Sequence, residues 1–168
     1  MKRISITGCG GAGKSTLALE LERLLGIEVI HLDKFYWNPG WIQTPNDEWD
    51  VIHENLLKGD SWIIDGSYAR TLDARLKFSD TIIFLDFSRR VCLLRWMKRV
   101  ITHYGQSRPD LAPECPEKLD WEMARWIWKY PSNHRLRVVR AIENNSKHLT
   151  VHILRSPREV KRFLKKMR

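Results

Sequence analysis

Eight residues near the start of the chain, Gly8-Cys9-Gly10-Gly11-Ala12-Gly13-Lys14-Ser15, satisfy the pattern G-x-x-x-x-G-K-[ST] at every required position. The β-branched run Ile4-Ser5-Ile6 precedes them, and the helix-forming run Thr16-Leu17-Ala18-Leu19-Glu20-Leu21 follows. A strand, a glycine-rich loop and a helix in that order leave the chain few options. The glycines let the backbone curl until successive N–H groups point inward, forming an anion nest at a helix N-terminus. Gly8, Gly10, Gly11, Ala12, Gly13 and the first helical residues Lys14, Ser15 and Thr16 are the expected phosphate cradle. Lys14 can reach β- and γ-phosphates, and the Ser15 hydroxyl can ligate Mg²⁺. A bound nucleoside triphosphate, taken as ATP, follows from the motif and its setting.

The rest of the chain alternates apolar runs with helical patterns. Strands are expected at residues 2–7, 27–30, 61–66, 81–86 and 148–154. Helices are expected at 14–25 (closed by Gly26), from about 46 to 59, at 89–103, over a long Trp-rich stretch at about 117–144, and from 156 onward. Ser156-Pro157-Arg158-Glu159 reads as a capping box with proline in the first helical position. Phe35 to Trp41 is an aromatic loop with a Pro-Gly turn, and Gly105 to Pro116 is a loop too polar and proline-broken for a core. Five short hydrophobic strands alternating with helices imply an α/β fold with a parallel sheet covered on both faces and right-handed crossovers. Ligands in such sheets bind beyond the carboxyl ends of the strands. The chemically useful residues collect there: the glycine loop after the first strand, Asp33 after the second, Asp65 after the third, Asp86 after the fourth and Arg155 after the fifth.

Trp62-Ile63-Ile64-Asp65-Gly66 has the form of a Walker B strand, whose aspartate holds Mg²⁺ beside the Ser15 hydroxyl. Asp33 can accept the proton of an attacking hydroxyl or position the acceptor. His31 beside it reads more simply as a packing residue. Tyr36, Trp37 and Tyr68 are candidate acceptor-binding surfaces, and Arg70 offers a guanidinium fork for an anionic acceptor group. Arg95 and Arg99 lie four apart on one helix face, suited to phosphates or a purine, and Arg108 in the polar loop can be delivered to the transferring phosphoryl group.

At 168 residues, 43% apolar and 29% charged, the chain suits one globular domain. No apolar run approaches membrane-spanning length, and the first residues are used for a strand, so neither a membrane partner nor a signal peptide is expected. Cys9, Cys92 and Cys115 share no metal-type spacing and suit free thiols in a reducing cytoplasm. Charge is uneven: residues 1–85 carry 9 Lys/Arg against 12 Asp/Glu, whereas residues 86–168 carry 20 against 8. The basic second half, including Lys161, Arg162, Lys165, Lys166 and Arg168, is compatible with weak nucleic-acid binding. Arginines gathered around anionic substrates and solvated helix faces account for it more simply.

These residues together resemble the P-loop nucleoside and nucleotide kinases, with adenylate and shikimate kinases as distant relatives. The phrases around Lys14, His31-Leu32-Asp33, Trp62 to Gly66 and Arg108-Pro109-Asp110 are more similar still to the small adenylate-kinase-like proteins named DNA topology modulation proteins. The resemblance implies a three-layer αβα P-loop fold with sheet order 2-3-1-4-5. It also implies an acceptor-binding segment at about 33–60 and a lid at about 104–117. Asp65-Gly66 followed by Arg70 looks like the adenylate-kinase turn whose arginine meets the acceptor phosphate, although Ser67-Tyr68-Ala69 replaces the usual Phe-Pro. Arg95 and Arg99 resemble paired lid-flanking arginines, the first stacking on adenine. Asp33 is similar to the aspartate that shikimate-type kinases place near the acceptor hydroxyl. The expectation is an ATP- and Mg²⁺-dependent phosphotransferase with Lys14, Asp33, Arg99 and Arg108 in catalysis and Ser15 and Asp65 at the metal. The alternatives are a nucleotide-binding, DNA-associated regulator and an NTPase switch without an acceptor.

Overall fold

The computed structural model describes residues 1–167, so Arg168 lies outside the described residues. Five strands, β1 (Arg3–Gly8), β2 (Val29–His31), β5 (Trp62–Asp65), β6 (Thr81–Leu85) and β7 (Thr150–Leu154), form one sheet in the order β2-β5-β1-β6-β7. Every pairing is parallel. This is the expected 2-3-1-4-5 order, shifted in label by a hairpin, β3 (Trp37–Asn38) and β4 (Ile42–Gln43).

The two faces follow from the pleat, which sends alternate side chains to opposite sides. Ile4, Ile6, Ile63, Ile83 and Leu85 face one layer: α1 (Lys14–Leu25), α5 (Arg89–Thr102), α6 (Trp121–Lys129) and α8 (Pro157–Met167). Ile82 and Phe84 face the other, against α4 (Ala69–Phe78) and α7 (His134–Asn145), while Trp62 and Ile64 pack toward α3 (Asn46–Leu56). Both sides of the sheet are covered, which is why its strands read as unbroken apolar runs. The helix ends match their signals. Gly26 takes a left-handed conformation and donates to Glu22 O at 2.8 Å. Ser156 Oγ accepts from Glu159 N–H at 3.3 Å, and the Glu159 carboxylate accepts from Arg155 N–H at 2.9 Å.

Three expectations need correction. The Trp-rich stretch at 117–144 is two helices, because Pro131 has no N–H to donate and its ring clashes with the preceding turn; residues 130–133 turn between α6 and α7. The aromatic loop is structured: α2 (Asp33–Tyr36) runs into the β3–β4 hairpin, which turns at Pro39-Gly40-Trp41. The segment 105–116 is not wholly polar, since Leu111, Ala112 and Cys115 are buried against Trp37 and Trp41 of that hairpin. No described helix is long and apolar enough to cross a membrane.

Candidate functional site

The glycine loop is held by close packing. Gly11 has φ 79°, and a Cβ placed there would lie 2.3 Å from Cys92 O and 3.1 Å from Trp96 N, both on the α5 backbone. A Cβ at Gly8 would lie 2.7 Å from Leu85 O, and Gly10 lies against Met123 of α6. The loop therefore touches two helices through its main chain, and the start of α1 is aimed by that contact. Ala12 N–H closes a turn onto Cys9 O at 3.1 Å, and Lys14 Nζ lies 3.2 Å from the same carbonyl. Arg95 Nη1 donates to Ala12 O at 3.1 Å, placing that guanidinium at the loop. Cys9 and Cys92 are both buried and in contact, so two cysteines far apart in sequence are neighbours; this contact and burial push the Cys9 thiol up. All three cysteines are free.

Beside the loop stand two carboxylates. The parallel register sets Asp65 opposite Ile6 and His31 opposite Asp65, so β2 and β5 end at one level while β1 runs on to Gly8. His31 Nδ1 lies 2.8 Å from Asp65 Oδ1 in a buried pair. Burial alone would lower the His31 pKa, but the Asp65 contact outweighs it and the net shift is upward. Asp33 stands at the first residue of α2 rather than at the strand end, and accepts a 2.5 Å hydrogen bond from Tyr68 Oη. Burial raises the Asp33 pKa, with Asp65 adding to the rise; Tyr68, Lys14 and Arg108 oppose it. Burial and the Asp33 carboxylate hold the Tyr68 phenol well above its usual range.

The arginines divide into two groups. Arg99 and Arg108 each place Nε 2.8 Å from Glu117 Oε1, and Arg108 Nη1 also donates to Asp110 Oδ2 at 3.0 Å. Neither Nε–H is aimed at the Glu117 oxygen, so the cluster is joined by charge without aligned hydrogen bonds. Burial and the neighbouring Arg108 lower the Arg99 pKa. The segment 105–116 and the hairpin are tied directly: Trp41 Nε1 donates to Pro116 O at 3.1 Å, and Gly40 N–H to Glu114 O at 3.1 Å.

Arg70 does not join this group. Its Nη1 and Nη2 bond Asp50 Oδ2 and Oδ1 at 3.0 and 2.6 Å, and Nη2 also donates to Asn46 O at 3.0 Å. The substituted turn Ser67-Tyr68-Ala69 starts α4 at Ala69, and Arg70 points toward α3. Asp86, grouped with the strand-end chemistry in the sequence, is tied bidentately to Arg135 at 2.8 Å and serves as a structural anchor for α7. Tyr36 packs on Trp49 and Tyr68, with ring centroids at 5.1 and 4.6 Å, and Trp37 packs on Trp41 at 5.4 Å.

Sequence reasoning missed Glu117, Asp50 and Arg75. Arg75 is fully buried, donates from Nη2 to Gly66 O at 2.9 Å, and leaves Nε and Nη1 without partners. Burial pulls its pKa down to about 10, against the charge of Asp65. Only its position at helical spacing among Thr71, Leu72 and Leu76, the buried side of α4, could have signalled it. Glu117 and Asp50 had no local signal, since Glu117 meets arginines 9 and 18 residues away and Asp50 meets one 20 residues away.

No family model and no curated protein matches the chain. Among solved structures it is similar to shikimate kinase from Acinetobacter baumannii in complex with shikimate: TM-score 0.60, 17% identity, covering 99% of this chain and 90% of that one. It is also similar to shikimate kinase from Bacteroides thetaiotaomicron: TM-score 0.52, 17% identity, 99% and 95% covered. A third is deoxyadenosine kinase from M. mycoides with products dCMP and dCDP: TM-score 0.50, 15% identity, 98% and 97% covered. At these identities the likeness establishes the fold, that of P-loop kinases. It gives no support to the DNA topology modulation group in particular, nor to nucleic-acid binding.

Proposed function

We propose that the protein is an ATP- and Mg²⁺-dependent phosphotransferase that moves the γ-phosphoryl group onto the hydroxyl of a small molecule. It would do so in a single domain, with residues 33–60 binding the acceptor and 104–117 acting as a lid. One observation carries the reading: the glycine nest directly follows β1 and Asp33 follows β2 in an all-parallel sheet, so both stand at the same end of it.

Magnesium fits the donor set. Ser15 offers a hydroxyl, and Asp65 offers the oxygen that His31 does not bond; both are hard ligands. Among the described residues there is no cluster of three or more His, Cys, Asp or Glu that could hold a metal alone. Joint binding with triphosphate oxygens is what such a set suits. When bound, the ion would neutralise charge on the β- and γ-oxygens.

The protein's own residues supply the rest. Lys14 would leave Cys9 O for the phosphates, with Arg95 beside the loop. Asp33, oriented by Tyr68, would accept the acceptor's hydroxyl proton. Arg99 and Arg108 would exchange Glu117 for the oxygens of the transferring group. Lys14→Ala is expected to lower ATP binding and turnover by about 100-fold or more. Normal ATP affinity and hydrolysis in that variant would sink the proposal.

A further inference from the structure

The acceptor wall offers carboxylates and aromatic rings, and its one arginine suited to an anionic acceptor is already engaged. Both terminal nitrogens of Arg70 face the two oxygens of Asp50, and a third hydrogen bond goes to Asn46 O. That is the fork-to-fork geometry in which a guanidinium would otherwise receive a phosphomonoester. Arg99 and Arg108 stand with Glu117 and Asp110 and are assigned above to the transferring phosphoryl group, so they are not part of the acceptor wall. At the floor, Asp33 accepts from Tyr68 through Oδ1, and no described residue hydrogen-bonds its Oδ2, which can take a hydroxyl donor. A second anion there would add to the repulsion from Asp65 that Asp33 already carries.

We infer that Asp50 sets the chemical class of the acceptor: by holding Arg70 it makes the acceptor an unphosphorylated hydroxyl compound with a ring face, and excludes the phosphomonoester of the same compound. This rests on the phosphotransferase reading above. Tyr36 and Tyr68, backed by the buried Trp49, supply the apolar side of such a site, and Asp33 the proton acceptor.

The test is calorimetric titration with matched pairs, adenosine and AMP, thymidine and dTMP, glucose and glucose 6-phosphate, with a non-hydrolysable ATP analogue present. The wild type is expected to bind the neutral member of at least one pair tenfold or more tighter than its phosphate. Asp50→Asn frees the guanidinium and should move that ratio about tenfold toward the phosphate; Arg70→Gln added to it should remove the gain. If the wild type binds neither member of any pair, Asp50→Asn must still create binding of a monophosphate. Preference of the wild type for a monophosphate, or no response of phosphate binding to Asp50→Asn, overturns the inference. The side chains of Asp50 and Arg70 are 45% and 48% exposed, so both variants should keep the fold, checked by their melting curves. Because only binding is read, absence of phosphoryl transfer would count against the phosphotransferase reading and leave this result standing.

Discussion

The donor and acceptor walls of the proposed site are made of different material. The donor wall is main chain: glycines 8, 10, 11 and 13, turned amides, and a loop pressed against the backbones of β6 and α5. The proposed acceptor wall is side chain: Asp33, Tyr36, Trp37 and Tyr68, backed by the buried Trp49 of α3, with Leu111, Ala112 and Cys115 packed against Trp37 and Trp41. A main-chain wall tolerates almost no added atom and would hold any triphosphate in one way. A side-chain wall can be rebuilt residue by residue, which is how one fold comes to serve different acceptors.

That contrast is breakable by experiment. The largest effect is expected at Gly11→Ala, where the new Cβ meets the α5 backbone at 2.3 Å in a left-handed conformation. The loss should be about 4 kcal/mol, read as a shift in urea midpoint with nucleotide binding abolished. Asp33→Asn comes next, with turnover down about 100-fold and ATP-analogue affinity unchanged. Its stability should hold or rise, because burial raises the Asp33 pKa and thereby makes the ionised form a cost at neutral pH. The sign follows from linkage: the wild type should lose stability as pH rises through the raised pKa, and Asp33→Asn should lack that component. A drop in nucleotide affinity with Asp33→Asn would erase the division between the walls.

Tyr68→Phe is expected to act more mildly. The lost hydrogen bond opposes the upward shift of Asp33, so removing it should move the acid limb of the pH–rate profile to higher pH, with a rate loss below about tenfold at neutral pH. An acid limb that stays in place would separate Tyr68 from Asp33. The smallest effect belongs to Gly40→Ala on the hairpin, whose φ is 76° but whose Cβ would meet nothing within 4 Å. It should cost about 1 kcal/mol and leave ATP binding untouched. A loss as large as that of Gly11→Ala would show the hairpin to be as tightly constrained as the loop.

The donor wall was readable because its information is local. Eight consecutive residues carry the nest, and the flanking strand and helix are set by adjacent hydrophobic periodicity. The sheet order was readable through the resemblance those residues carry. The acceptor wall was only partly so: Asp33, Tyr36, Trp37 and Tyr68 could be named as candidates, but not the hydrogen bond from Tyr68 to Asp33, 35 residues away. Arg70 shows the limit most clearly. Its residue type and its place after Asp65-Gly66 point to an anionic acceptor, and the structure turns it onto Asp50 instead. Pro131, followed by Ser132 and Asn133, is a local signal of the break, set close behind the apolar run Trp126-Ile127-Trp128.

What the sequence alone determined is the alternating α/β pattern, the phosphate nest and the set of carboxylates at strand ends, since each depends on residues adjacent in the chain or on strand-end positions. Tertiary structure decided which of those charges are available to a ligand. Arg70 is held by Asp50, Arg99 and Arg108 meet at Glu117, Asp86 is tied to Arg135, and Asp65 is paired with His31. Charge neutralisation is a matter of a few ångströms across space, and nothing in the order of residues encodes which distant partner closes that distance.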